Sequence, residues 1–296
     1  MALRALAILW LLGSSAATAQ SALPDPVRRM VEAAARSGDQ ARIDAVVAVA
    51  KETNAAAAGE IDALVAQIAA ERAAAQQAKL REAGFFEGWT GSGQIGASIS
   101  TGNSDTKSLT TGIALSREGI RWRHRADALA DIVDTDTGSN QERILAGYQI
   151  DYRLSERVYA WGRFEYERNR EAGIRRRFAE SAGLGWRVLV PGRVGWELEA
   201  GPALRQTRFI DGSDNSFAVR GASRFSFKLS DSAAFTNDTA VFWDSAGSIT
   251  NTAALTARIS GALSARFGFN LAWEESPPAG LESLDTTTRI TLVTNF

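Results

Sequence analysis

Residues 266–274, RFGFNLAWE, decide the fold of this chain. Every second position holds a large apolar side chain, and the positions between them hold Arg266, Gly268, Asn270, Ala272 and Glu274. A β-strand places alternate residues on opposite faces, so this stretch predicts a strand with one apolar and one mainly polar face. The same alternation recurs in residues 144–152, 196–205 and 217–228. We therefore expect strands from residue 88 to the C-terminus.

Turn spacing discriminates between the folds that such strands could build. Short polar turns are predicted at residues 117–119, 154–157, 190–193, 229–232 and 263–266, and more variable loops lie between them, including residues 102–106 and 134–140. Twelve strands of about 10–16 residues result, whereas soluble sandwiches usually have strands of about five or six. An even number of long strands, with short turns on one side, is typical of outer-membrane barrels. We predict an all-β transmembrane barrel of about twelve antiparallel strands over residues 85–296.

The two strand faces differ in chemistry. Trp122, Trp186, Trp196 and Trp273 stand on the apolar face near strand ends, where a membrane interface favours them. Charge facing lipid at mid-depth costs about 2–4 kcal/mol per Arg or Lys, so the charged face is predicted to line the lumen. The lumen-facing candidates are Arg121, Arg123, Arg125, Arg163, Glu165, Glu167, Glu197, Glu199, Arg205, Arg220, Arg224 and Lys228.

Two interpretations of the lumenal carboxylates stay open. Glu165 and Glu167 share a face with Arg163, and Glu197 and Glu199 share a face with Arg205. Paired carboxylates could serve glycoside hydrolysis or cation binding. Alternatively, arginine partners compensate them inside the lumen. We favour ion pairing and assign no catalytic or metal-binding residue.

His124 is the single histidine of the chain, and it alternates with Arg123 and Arg125. It therefore falls on the apolar face with Trp122, at the lipid side or in the interfacial girdle. A Ser-His hydrolase would have to be built around this residue, so an enzyme is disfavoured.

The composition excludes several classes of function. The 33 Lys and Arg residues balance 34 Asp and Glu residues, so a surface that binds nucleic acid through charge is not expected. Absence of Cys excludes disulfides and thiolate metal sites. Residues 101–106, TGNSDT, lack the spacing of an EF-hand or a Walker loop and are interpreted as a polar turn. No cofactor is predicted.

The first 84 residues differ from the remainder. Residues 1–19 have the charged, apolar and small-residue regions of a signal peptide. Residues 20–84 contain no aromatic residue and are rich in Ala, and helical spacing of apolar residues predicts two or three helices ending near residues 37–39, 53–54 and 80. This periplasmic segment is either an adaptor for a partner or a solvated spacer.

Four further motifs carry a family resemblance: TGNSDT (101–106), RWRHR (121–125), DYRLSER (151–157) and FEYERNR (164–170). Together they resemble the bacterial domain-of-unknown-function family 481, whose members are often called salt-induced outer-membrane proteins. The closing DTTTRITLVTNF (285–296) is also similar, and its terminal Phe296 is the residue type that outer-membrane assembly machinery reads. The resemblance covers residues 85–296. It implies location and architecture without an established activity.

These observations predict a narrow pore or solute-interacting channel in the bacterial outer membrane, with helices in the periplasm and a possible link to salt or osmotic response. Its expected partners are outer-membrane lipid and the assembly machinery. The alternative is a structural or adaptor barrel whose residues 20–84 bind a periplasmic partner; a barrel hydrolase comes last.

Overall fold

The computed structural model describes residues 23–101, 106–133, 141–170, 172–189, 192–244 and 247–296. The predicted signal peptide and most of the predicted loops at 102–106 and 134–140 lie outside these residues. The chain divides after Glu82 into two compact units, which are described separately.

The first unit is helical. Its helices are α1 (Asp25–Ser37), α2 (Gln40–Thr53) and α3 (Ala58–Glu82), with a 3₁₀ turn at Ala55–Ala57. Gly38 ends α1 in the left-handed conformation that glycine adopts without strain, and the Asp39 side chain then caps α2. Apolar side chains of all these elements form a small core that includes Leu23, Val31, Ala50, Ala57 and Ile61. None of the described helices is long and apolar enough to cross a bilayer.

The second unit is a closed antiparallel barrel of twelve strands, as the alternation and turn spacing predicted. Each strand pairs with its sequence neighbours, and β1 pairs with β12 to close the barrel. The strands are β1 (Trp89–Thr101), β2 (Thr106–Glu118), β3 (Trp122–Val133), β4 (Gln141–Arg153), β5 (Val158–Asn169), β6 (Ile174–Leu189), β7 (Val194–Phe209), β8 (Ser213–Lys228), β9 (Ala233–Trp243), β10 (Ser248–Ser260), β11 (Leu263–Glu274) and β12 (Leu284–Asn295).

Three of the five predicted short turns fall between strands, the one at residues 117–119 overlaps the end of β2 at Glu118, and the one at residues 263–266 is corrected. Residues 263–266 belong to β11, and the turn before it consists of Gly261 and Ala262. Gly261 has a φ of +48°. A glycine in the left-handed conformation allows a two-residue turn between β10 and β11. Such a turn needs fewer polar residues than the predicted four-residue turn.

The outside of the barrel is apolar. A strand of 12 residues such as β3, at about 3.3 Å per residue and a tilt of about 40°, spans about 30 Å along the membrane normal. Large side chains on the outward positions are exposed, among them Phe217 (84%) and Trp243 (79%) near the loop end and Trp122 and Trp186 near the short-turn end. This apolar belt with aromatic residues at both ends is the surface of a barrel embedded in lipid.

Candidate functional site

The lumen of the barrel is the candidate site, and a bidentate ion pair lies toward its short-turn end. Arg123 on β3 donates from Nη1 and Nη2 to the two carboxylate oxygens of Glu197 on β7, both at 2.9 Å. Its Nε donates to Asp151 on β4 at 2.6 Å. All three side chains are nearly buried. They fix three strands of one half of the barrel to each other.

Glu199, two residues along the same face of β7, accepts from a second set of donors. Gln149 donates at 2.7 Å, the Tyr159 hydroxyl at 3.0 Å and Arg224 at 3.1 Å. Arg125 and Arg220 each reach it at 3.3 Å. A buried carboxylate with this many donors is held ionised in one position.

Nearer the loop end, ion pairs continue along the lumen. Arg163 contacts Glu165 at 2.9 Å and Asp127 at 3.2 Å. Arg177 contacts Glu274 at 2.7 Å and Glu167 at 3.1 Å. Arg205 reaches Asp244 at 3.1 Å. We call the set the lumenal ion-pair network; it comprises Arg123, Arg125, Asp127, Asp151, Arg163, Glu165, Glu167, Arg177, Arg187, Glu197, Glu199, Arg205, Arg220, Arg224, Asp244 and Glu274.

Aromatic side chains also point into the lumen, which the sequence interpretation did not anticipate. Tyr159 is almost fully buried, and the guanidinium groups of Arg123 and Arg187 lie 5.2 and 5.6 Å from its ring centre. Arg220 lies 5.2 Å from the ring centre of Trp161, and Arg205 lies 5.1 Å from that of Phe242. These cation–π contacts hold arginines that also have carboxylate partners. The arginine-rich lumen is thus packed as well as charged.

The opposite wall of the lumen carries mostly small side chains, beside Asp238, Arg266 and Asn270. Thr236, Thr250, Thr252, Ala254 and Gly268 are contributed by β9, β10 and β11. Between them and the network lies a cavity of about 420 Å³. The remaining space in the lumen therefore lies between the network and these mostly short side chains.

The charges around this cavity are unbalanced. It is lined by the three acids Asp127, Glu165 and Asp238, and by six arginines, namely Arg143, Arg163, Arg220, Arg224, Arg266 and Arg289. Arg289 contacts Asp131 at 2.6 Å, but within the described part of the chain neither Arg143 nor Arg266 has a carboxylate oxygen within 4.0 Å. The Nε atoms of both have no hydrogen-bond partner among the described residues. Arginines thus outnumber acids six to three among the residues that line the cavity.

The structure brings most of the predicted lumen residues together but separates two from the rest. Arg121 does not share the lumenal face, because it precedes β3 and strand alternation does not extend to it. Its guanidinium donates to the Tyr152 hydroxyl at 2.8 Å. Tyr152 pairs with the exposed Trp122 on the outer face. Lys228 is the last residue of β8, is exposed, and forms no ion pair with the described residues.

The site also depends on residues that were not among the lumen-facing candidates, including Asp151, Gln149, Arg143, Arg266 and Arg289. The period-two pattern already places Arg266 on the mainly polar strand face. Asp151 and Gln149 are register partners of the candidates Arg123 and Arg125, which gives them the same direction.

His124 lies on the outer face, as its alternation indicated, yet it is only 8% exposed. Its Nδ1 atom is 2.8 Å from the Tyr148 hydroxyl. Phe85 and Trp89 cover it, with ring centres 5.6 and 6.2 Å away. The imidazole is therefore separated from the lumenal carboxylates, and in the described ranges no group of three or more His, Asp or Glu residues is arranged to hold a metal ion.

A closed barrel with an apolar exterior and an ion-paired lumen defines a transmembrane β-barrel protein. Residues 93–296 match the family described as "Protein of unknown function, DUF481", and the chain belongs to this family. This match confirms the resemblance seen in the sequence motifs.

Individual proteins are similar to this chain over most of its length. The uncharacterized protein YdiY of Escherichia coli (strain K12) is 26% identical over 215 residues, which cover 70% of this chain and 82% of that protein. Among solved structures, the NanC porin is similar with a TM-score of 0.49 at 8% identity, covering 69% of this chain and 100% of that one. The translocator domain of the autotransporter NalP from Neisseria meningitidis has a TM-score of 0.45 at 14% identity, covering 78% of this chain and 96% of that one.

Proposed function

We propose that the protein is a narrow outer-membrane channel that favours anions. The observation that carries this proposal is the cavity beside the small-residue wall, where six arginines face three acids and where Arg143 and Arg266 have no carboxylate partner within ion-pair distance in the described part of the chain. An anion that enters this space replaces water around two guanidinium groups that have no carboxylate within ion-pair distance among the described residues. Charged side chains lining a pore select ions in this way.

The network supplies the rigid side of this passage. Its arginines are fixed by carboxylates and by aromatic rings, so they cannot collapse across the open side. The wall formed by β9–β11 has short side chains such as Thr252 and Gly268, which leave room for a solute. The carboxylates are occupied by arginines, so the proposal gives none of them a catalytic role.

The proposed channel offers a physical basis for the salt response that the family resemblance implies. Screening acts over about 8 Å at 0.15 M salt and about 3 Å at 1 M. An arginine excess in a water-filled passage therefore discriminates between ions best in dilute medium. We propose that anion preference falls as external salt rises.

The strand order supports a proposal for location. Short turns of outer-membrane barrels face the periplasm, and the N-terminal end of β1 and the C-terminal end of β12 both lie at the short-turn end. We propose that the helical residues 20–84 are periplasmic and that the assembly machinery recognises β12 with Phe296. If the barrel does not conduct, we propose an adaptor function in place of the channel, in which these helices bind a periplasmic partner.

Reversal potentials of the refolded full-length protein in planar bilayers test the channel. Removing one charge about 6 Å from a permeant ion in water changes its energy by about 0.7 kcal/mol, which is about threefold in relative permeability. We expect a chloride-to-potassium permeability ratio above one, lowered about threefold by Arg266→Gln or Arg143→Gln. Arg157→Gln is the matched control, because Arg157 is exposed in a short turn away from the cavity. Silence of protein shown to be folded would overturn the channel.

A further inference from the structure

The outer surface of the barrel carries a second group of arginines, which the channel does not use. Arg168 on β5, Arg176 on β6 and Arg208 on β7 occupy outward positions of three consecutive strands near the loop end. Their direction follows from the strand phase, because Phe164, Leu184 and Leu204 on the same faces are exposed to the outside.

Two of these arginines are directly opposed. Arg176 and Arg208 are register partners across the β6–β7 ladder. Side chains in such positions have Cβ atoms about 4.5–5.5 Å apart, and like charges there destabilise a sheet. Within the described residues neither guanidinium has a carboxylate within ion-pair distance, whereas Arg168 is paired with Glu142 at 2.5 Å. The outward Glu180 is four residues along β6, about 13 Å by strand rise.

The end of the apolar belt gives the position of Arg176 and Arg208 relative to the membrane. Leu204 and Phe217, the last large apolar residues of the belt on β7 and β8, are register partners. Arg208 lies four residues beyond Leu204, about 13 Å along the strand. With the usual strand tilt this is about 10 Å along the membrane normal. On β6 the outward Phe178 lies only two residues before Arg176, about 5 Å along the normal, so the pair lies where polar headgroups replace hydrocarbon.

We propose that Arg176 and Arg208 bind a phosphate group of an outer-leaflet glycolipid. Guanidinium groups form paired hydrogen bonds with phosphate oxygens, and one phosphate can bridge two adjacent guanidinium groups. The bound phosphate removes the repulsion of the opposed pair. Arg175, exposed at the strand irregularity beside Arg176, adds a third positive charge. The proposal rests on the outer-membrane location proposed above, but not on conduction through the lumen.

Native mass spectrometry of the refolded full-length protein tests this site. The probes are bisphosphorylated lipid A, the same lipid A without phosphates, and inorganic phosphate. Wild-type protein should retain bisphosphorylated lipid A about tenfold more tightly than the dephosphorylated form, as expected for two charge-assisted contacts. Arg176→Gln with Arg208→Gln should abolish this preference, and Arg176→Lys with Arg208→Lys should restore part of it.

The matched control is Arg157→Gln with Arg193→Gln, which removes two exposed arginines at the short-turn end. Equal lipid retention by wild type and by the double variant Arg176→Gln with Arg208→Gln would overturn the site, as would equal retention of both forms of lipid A. Binding of inorganic phosphate as tight as that of lipid A would replace the glycolipid by free phosphate and overturn the lipid assignment. Conductance separates the two proposals, because the outward double variant should conduct as wild type does.

Discussion

The guanidinium of Arg123 and the carboxylate of Glu197 form two parallel hydrogen bonds of 2.9 Å across the lumen. The residues belong to β3 and β7, which are not neighbours in the barrel. Side chains therefore brace the barrel internally, in addition to the backbone ladder along its wall. The stability and ion preference of the protein should both depend on this bracing.

Glu197→Gln should destabilise the folded barrel strongly. The change leaves the nearly buried guanidinium groups of Arg123 and Arg187 facing a neutral amide. Removing one partner of a buried pair costs about 3–5 kcal/mol. The free energy of unfolding in urea, followed by tryptophan fluorescence of refolded protein, measures the effect.

Glu118→Gln is the control for this experiment. Glu118 also contacts Arg123, at 3.9 Å, but its side chain is 54% exposed. An exposed pair contributes about 0–1 kcal/mol, so its loss should change stability little. Equal effects of the two substitutions would contradict the internal bracing.

Asp131→Asn should change ion preference in the direction opposite to Arg266→Gln. Asp131 is buried and holds Arg289 at 2.6 Å beside the cavity. The neutral amide releases one more positive charge to the passage, which should raise the anion-to-cation permeability ratio about threefold. Asp231→Asn, in an exposed short turn, should leave the ratio unchanged. A lower ratio in Asp131→Asn, measured from the reversal potential, would contradict the proposed selectivity.

Gly201→Ala should weaken the packing of β6 against β7. A Cβ atom at this position would lie 1.9 Å from the backbone oxygen of Ala182, which cannot move without shifting the strand. Such overpacking costs about 1–3 kcal/mol. At Gly221, on the next strand, a Cβ atom meets no heavy atom of the described residues within 4 Å. Gly221→Ala should therefore leave the urea midpoint unchanged or raise it, by up to about 1 kcal/mol of stability.

Phe296→Ala should lower the yield of assembled barrel in cells without lowering the stability of refolded protein. The backbone of Phe296 forms two hydrogen bonds with Gly91, which the substitution retains, and the residue is 65% exposed. The fraction of heat-modifiable barrel in isolated outer membranes measures assembly. Phe86→Ala, which also removes an exposed phenylalanine ring, is the control. Equal yields of the two variants would contradict recognition of Phe296.

Local sequence was sufficient to predict the helices, the number of strands and most of the turns. The signals are short-range, because the period-two alternation and the polar turns are properties of neighbouring residues. The turn predicted at residues 263–266 was misplaced because it was predicted from polarity. Gly261 and Ala262 turn the chain through their backbone conformation, which the polarity of neighbouring residues does not reveal.

The amino-acid sequence by itself determined that this chain forms alternating strands, that they divide into twelve, and that charge and apolar surface separate onto two faces. Only the tertiary structure decided which charges meet. Alternation assigns Arg123 and Glu197 to a face but gives neither its depth nor its partner across the barrel. Those depend on strand register and on the curvature that closes β1 on β12. The same closure leaves Arg143 and Arg266 beside an open cavity and opposes Arg176 to Arg208 on the outside, because register is fixed along the whole circumference at once.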